Sequence, residues 1–216
     1  MTKPIALYGG TFDPVHWGHL KPIAAVAKEL GIAQVKLVPA HIPPHKSGTV
    51  ATPAQRKEML QAGSSFDSIF SIDDRELKKN SASYTIETLI DIKKENPEHT
   101  VFFFIGLDSL LNLHKWHRWQ ELLEYSHLIV STRPGYQLAQ AAPEITALLD
   151  KHLVTNKKEL FHHTHGSIWM NEDAKVDVSS TEIRAKLADG EITEDLMPKP
   201  VIDYIIKHKL YRSSDS

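Results

Sequence analysis

Short, wholly apolar runs alternate along this chain with longer stretches in which apolar residues recur every three or four positions. The first run, "PIALYGG" (4–10), reads as a buried strand ending at a glycine turn, and "LKPIAAVAKELG" (20–31) follows with helical spacing and Gly31 as its stop. "VKLVPA" (35–40) is the next strand, and Pro43-Pro44 then break the chain into a loop. "PAQRKEMLQAG" (53–63) has a helical pattern with Pro53 in its first turn, and "SIFSID" (68–73) is a third strand. A helix is predicted over "YTIETLIDIKKE" (84–95), with Ser83 as its N-cap. "TVFFFIG" (100–106) is apolar throughout, as a strand covered on both faces should be. A helix over "WHRWQELLEY" (116–125) and a strand over "HLIVSTR" (127–133) complete the regular part.

Strand and helix in strict alternation imply βαβ crossovers and a parallel sheet. Beyond Pro134 the pattern loosens: a helix over 142–153, a short strand "SIWM", then helices over 179–190 and 200–211. No long linker or internal repeat interrupts the chain. The expectation is an α/β fold, a Rossmann-like doubly wound parallel sheet with a helical C-terminal portion. It forms one domain over residues 1–212, and 213–216 make a disordered tail. Ligands of such sheets bind at the carboxyl ends of the strands, so the loop after the first strand is the best placed for chemistry.

Composition narrows the choice. A net charge of −2 argues against a basic nucleic-acid binder, and any anionic ligand must be held by local groups. The absence of cysteine excludes disulfides, thiolate metal sites and a thiol nucleophile, and fits a reducing cytoplasm. No run approaches the length of a membrane span, and "MTKPIALYGG" lacks the long apolar core expected of a signal peptide. The expected setting is therefore cytoplasmic, and nothing in the pattern specifies an oligomer.

"YGGTFDPVHWGHL" (8–20) is the stretch that asks for an explanation. Gly9 and Gly10 allow a tight turn and close approach to a ligand. Neither a P-loop nor a G-x-G-x-x-G fingerprint is present. His16 and His19, three apart at the start of a helix, point to one side and join the positive end of the helix dipole, with Gly18 leaving room between them. That arrangement suits a polyphosphate. The plain alternatives are a packed turn with incidental histidines or a metal site, and the latter lacks an evident third ligand. A second anion site is expected where Ser179 and Glu182 form an S-x-x-E capping box, with Ser180 and Thr181 in the first turn and Arg184 one turn further on.

"GGTFDPVHWGH" resembles the first signature of the HxGH nucleotidyltransferases, and more closely that of bacterial nicotinate-nucleotide adenylyltransferases. Matching segments follow in order along nearly the whole chain. The resemblance implies ATP binding at Gly9, Gly10, Thr11 and Phe12, at Gly106 and Asp108 beyond "FFFIG", and at Ser180, Thr181 and Ile183. It implies that His16 and His19 stabilise the transferring and bridging phosphates while Lys46, in "VPAHIPPHK", and Arg184 hold the pyrophosphate end. In this loop Ala40 departs from the pattern, which has a polar residue there. Tyr84 and Thr85 would recognise a nicotinate carboxylate, Trp116 would stack on the pyridine with His117 beside it, and Arg133 would line the site from the end of its strand. The implied reaction transfers AMP from ATP to nicotinate mononucleotide, with magnesium carried on the phosphates rather than in a protein cage. Phosphopantetheine or nicotinamide mononucleotide as acceptor, and a non-catalytic nucleotide sensor, remain the rival readings.

Overall fold

The apolar runs become the parallel strands of one sheet. The structure is a computed structural model and describes residues 3–41, 49–79, 82–132, 137–171, 176–191 and 195–212. In chain order its elements are β1 (Ile5–Gly10), α1 (Trp17–Glu29), β2 (Val35–Pro39), α2 (Pro53–Ser64), β3 (Phe70–Ile72), α3 (Thr85–Glu95), β4 (Val101–Gly106) and α4 (Leu107–Leu111). They continue with α5 (Leu122–Tyr125), β5 (His127–Ser131), α6 (Pro143–His152), β6 (Leu153–Val154), β7 (Ile168–Asn171), α7 (Ser180–Ala188) and α8 (Lys199–Lys207).

The sheet has seven strands in the order β3-β2-β1-β4-β5-β7-β6, with every pairing parallel. The chain winds outward from β1 to β3, then crosses back to lay β4 against the other side of β1. That reversal is the switch point of a Rossmann-like sheet, and it opens a crevice beyond Gly10 and Gly106.

Side chains alternate across the sheet as a pleat requires. Ala6, Tyr8, Phe102 and Phe104 enter the layer that holds Leu20, Met59, Ile183 and Val201, from α1, α2, α7 and α8. Leu7, Phe103 and Ile105 enter the opposite layer, with Ile86, Leu110, Leu122 and Ile145 from α3 to α6. Helices on both faces account for the unbroken apolar run of β4, whose residues 101–105 are all buried.

Three local expectations are corrected. The helix read over 116–125 breaks into a 3₁₀ turn at Trp119–Glu121 and the single turn of α5, because Arg118 takes a left-handed backbone (φ 50°). Ser83 does not cap α3: Tyr84 holds the N-cap position, and the Ser83 hydroxyl accepts from the His41 N–H at 2.9 Å. The helix read over 142–153 ends at His152, and Leu153 begins the two-residue strand β6, which is too short to show a period.

At the opposite end of the sheet from the crevice, His127 is fully buried between two backbone partners. Its Nδ1 accepts from the Ser167 N–H at 3.0 Å, so Nε2 carries the proton toward the His163 carbonyl at 3.1 Å. Burial lowers its pKa from 6.5 to about 4; the His163 carbonyl opposes the shift, and His165, His163 and Lys93 add to it. Below pH 6.5 the unfolded chain takes up this proton while the folded chain resists until about pH 4, so stability falls through that window and then levels off. At about 1.4 kcal/mol per unit the loss is roughly 3 kcal/mol. Urea midpoints of the wild type should drop between pH 6.5 and 4 relative to those of His127→Gln. A constant difference between the two across that range would refute the assignment.

Candidate active site

The loop after β1 is built differently from its sequence reading. Gly9 and Gly10 both stay in the strand, and the chain turns instead at Phe12, which has φ 52°. Gly10 is required for a close approach: a Cβ there would lie 2.9–3.2 Å from the Phe12 ring. That ring is buried against Tyr8 and His19, at 5.7 and 5.2 Å between centroids. Phe12 therefore belongs to the core under the loop and does not line the crevice with its side chain, contrary to expectation. Pro14 follows through a cis peptide bond.

His16 is the N-cap residue of α1, and His19 lies in the first turn. Their rings stack at 3.6 Å and 28°, with His16 buried and His19 half-buried in front of it. The space that the sequence left at Gly18 is filled. A Cβ there would meet the Val178 carbonyl at 2.7 Å and His16 Nδ1 at 3.0 Å. Glycine thus allows α1 to touch the backbone just before α7, and this contact joins the two signature segments.

α7 begins at Ser180 as read, but only half of the capping box forms: the Ser179 hydroxyl accepts from the Glu182 N–H at 3.2 Å, while the Glu182 carboxylate pairs with Lys186 at 3.3 Å. Ile183, expected at the ATP site, is wholly buried in the core and anchors the helix rather than facing the crevice. The Ser180 hydroxyl donates to the Pro14 carbonyl at 3.1 Å, so its proton is turned toward the loop. Arg184 Nη1 donates to the Asp13 carbonyl at 2.8 Å and Nη2 lies 3.3 Å from Thr181 Oγ1.

From the other layer come α3 and the turn after α4. Tyr84 and His117 pair their rings at 4.4 Å, and Thr85 opens α3 beside them. Trp116 is half-buried against the core and shows the rest of its ring to the crevice, whereas Trp119 only packs. Asp108 sits just past β4 with a buried Oδ1 that accepts no hydrogen bond from the described residues.

Glu76 was missed by sequence reasoning. It is buried at the floor of the crevice and takes the Thr88 hydroxyl at 2.6 Å. Burial pushes its pKa up, against the downward pull of hydrogen bonds from Thr88 and Ser83. Its position just beyond β3, at the carboxyl end of a strand, was the available signal.

The crevice is one cleft of about 500 Å³. Such a volume accommodates a nucleotide-sized ligand. The cleft brings together Gly9, Gly10, Thr11, His16, His19, Gly106 and Asp108 with Ser180, Thr181 and Arg184, and adds Tyr84, Thr85, Trp116 and His117. Ala40 lines it too, its N–H bonded to the Gly10 carbonyl at 3.0 Å. Lys46 and Arg133 lie outside the described residues, as do Pro43, Pro44, His45 and the tail 213–216. Among the described residues no group of three or more His, Asp or Glu could hold a metal ion, and no helix is long and apolar enough to cross a membrane.

Residues 7–186 match the cytidylyltransferase-like family. Over 208 residues the chain is 44% identical to a Yersinia pestis protein described as "Probable nicotinate-nucleotide adenylyltransferase", spanning 96% of this chain and 94% of that one. An Aeromonas hydrophila protein of the same description is 44% identical over 212 residues, or 98% and 99% of the two chains. In three dimensions the chain resembles the Plasmodium falciparum nicotinic acid mononucleotide adenylyltransferase complexed with NaAD. The TM-score is 0.73 at 20% identity, over 97% of this chain and 98% of that one, a likeness of fold.

Proposed function

The chain belongs to the nicotinate-nucleotide adenylyltransferases of the cytidylyltransferase-like family, and we propose that it transfers AMP from ATP to nicotinate mononucleotide, giving nicotinate adenine dinucleotide and pyrophosphate in NAD biosynthesis. The observation that carries this reading is the meeting, in one cleft, of the stacked His16–His19 pair with the Arg184 guanidinium across the α1–α7 contact. These are donors for a polyphosphate, and they stand at the switch point of the sheet. In this reading one nucleotidyltransferase domain over residues 1–212 acts in the cytoplasm, where ATP is supplied.

A phosphate monoester is already ionised at neutral pH, so the 5′-phosphate of the acceptor needs no general base. One of its oxygens bonds to the α-phosphorus of ATP as the bond to the bridging oxygen of pyrophosphate breaks, and that oxygen keeps the electron pair. What remains for the protein is to align the two nucleotides and to stabilise the shifting negative charge. His19, with His16 behind it, donates to the transferring phosphate, and Arg184 and Lys46 hold the departing pyrophosphate. Gly9, Gly10 and Thr11 let the ATP chain lie close to β1, and Asp108 is placed to accept from ribose hydroxyls with its vacant Oδ1. Magnesium, implied by the resemblance, would ride on phosphate oxygens and water and would draw charge from the triphosphate.

Tyr84, Thr85, Trp116 and His117 form the acceptor end, with Arg133 assigned there by resemblance. Trp116→Ala should raise the KM for nicotinate mononucleotide about tenfold, the loss of a stacking contact, with the KM for ATP little changed. Steady-state kinetics with each substrate varied in turn would decide, and an unaltered acceptor KM would remove Trp116 from the site.

Pyrophosphate release tests the function as a whole, with ATP and magnesium and three acceptors in parallel: nicotinate mononucleotide, nicotinamide mononucleotide and phosphopantetheine. Strong preference for the first is expected. Preference for another would keep the histidine site and discard the acceptor pocket. ATP binding without turnover on any of them would mark a nucleotide sensor.

A further inference from the structure

The loop 11–14 has no regular structure of its own, yet distant parts of the chain hold the carbonyls of Thr11, Asp13 and Pro14 and both oxygens of the Asp13 carboxylate. The Asp13 carboxylate is buried and accepts three hydrogen bonds: from the Val50 N–H at 2.9 Å, the Ala51 N–H at 3.1 Å and the Tyr211 hydroxyl at 2.7 Å. Arg56, with no exposed surface, donates to the Thr11 carbonyl at 2.7 Å and the His41 carbonyl at 3.1 Å, and its charge faces Asp13 and Tyr211. Arg184 takes the Asp13 carbonyl and Ser180 the Pro14 carbonyl.

Tyr211 is the most distant of these partners, 198 residues along the chain. Its backbone has φ 61°, and that of Lys209 has φ 52°. A left-handed backbone costs about 1–2 kcal/mol for a residue with a side chain. Two such residues after α8 coil the chain so that this ring turns inward, where it is buried. Packing alone would be satisfied by phenylalanine; the hydroxyl has a separate purpose. Burial, and the hydrogen bond to the Asp13 carboxylate, push the Tyr211 pKa far up, so it stays a donor.

We infer that Tyr211 is a positioning residue for the phosphate-facing side of the cleft: its hydroxyl holds the Asp13 carboxylate, and through the backbone of Asp13 it sets where the Arg184 guanidinium lies. The inference rests on the adenylyl-transfer reading for its effect on rate. The clamp itself is independent of that reading. Asp13 is the node, because its carboxylate and its carbonyl belong to one residue. With the Tyr211 hydroxyl gone the carboxylate keeps only the Val50 and Ala51 N–H groups, and the shift this allows is passed to the peptide that Arg184 grips. The same carboxylate fixes Val50 and Ala51, where the chain re-enters the fold before α2.

The test is Tyr211→Phe, which keeps the ring and removes only the hydroxyl, assayed at a temperature where melting curves show both proteins folded. We expect kcat to fall about tenfold, with the KM for the acceptor nucleotide unchanged, as misplacement of a charge-stabilising group does. In an Arg184→Ala background the same change should cost less than about twofold, since the group it places is gone. Amide exchange at Val50 and Ala51 should quicken in Tyr211→Phe whatever the activity. An equal loss of kcat in both backgrounds, or a lowered melting temperature with kcat intact, would overturn the positioning role. Unchanged protection of the two amides would overturn the clamp. Should Tyr211→Phe fail to fold, Asp13→Asn, which keeps an oxygen acceptor without the charge, is held to the same expectations. Absence of pyrophosphate release by the wild type would instead sink the adenylyl-transfer reading and leave the exchange result to judge the clamp.

Discussion

Replacing His19 with alanine is expected to lower kcat by about 10²- to 10³-fold while the Kd for ATP changes only a few-fold. His19 is the outer ring of the stacked pair, half-buried at the first turn of α1, and faces the cleft from the positive end of that helix. In the proposed reading, ground-state ATP is also held at Gly9, Gly10, Thr11, Asp108 and Arg184. A donor aimed at the α-phosphate matters most when charge builds there, so its loss appears in turnover. Single-turnover rates beside an equilibrium titration with ATP separate the two quantities. If the Kd rises by as much as kcat falls, His19 binds both states alike and the transition-state role is wrong. His16→Ala is a less clean experiment, because the buried inner ring also supports its neighbour.

Gly18→Ala is expected to have the second largest effect, although it removes no functional group. The added Cβ would stand 2.7 Å from the Val178 carbonyl and 3.0 Å from His16 Nδ1. A backbone carbonyl has no rotamer to escape into. The helix must move from the chain before α7, or His16 must leave its place under His19. Overpacking of this kind costs about 1–3 kcal/mol, a fall in Tm of several degrees for a chain of this size. Because the strained contact joins the two signature segments, kcat should fall at least about tenfold even where the protein is folded. Thermal melts with kinetics well below the lower Tm would show both losses. Full activity in a merely less stable protein would mean that the α1–α7 contact does not set the site.

Gly18 also marks where reading the chain stops being sufficient. The sequence identified the glycine and its two histidines, yet assigned it to open space, when the space is taken by a carbonyl 160 residues later. Phe12 and Ile183 lie inside signature motifs and were read as contacts, but both are core residues that hold the motifs in shape. Ser83 was read as a cap from its position before α3, whereas its hydroxyl is engaged by the His41 N–H from the end of β2. Glu76 carried no motif at all. In each case the residue's task depends on a neighbour distant in sequence, and local pattern contains no term for it.

The alternation of strand and helix, the parallel sheet that follows from it, and the order of the segments that meet at its carboxyl edge are all legible in the chain. Those are consequences of period, strand length and crossover geometry, each readable within a dozen residues. Folding in three dimensions sets which members of a motif face the cleft and which support it. It also decides that the turn is made at Phe12 rather than at the glycines, and that Asp13 and Tyr211 share a proton-donating contact. The difference is one of range. Propensity and pattern act along the chain, while burial, close approach and the satisfaction of a buried carboxylate act through space between segments that only folding brings together.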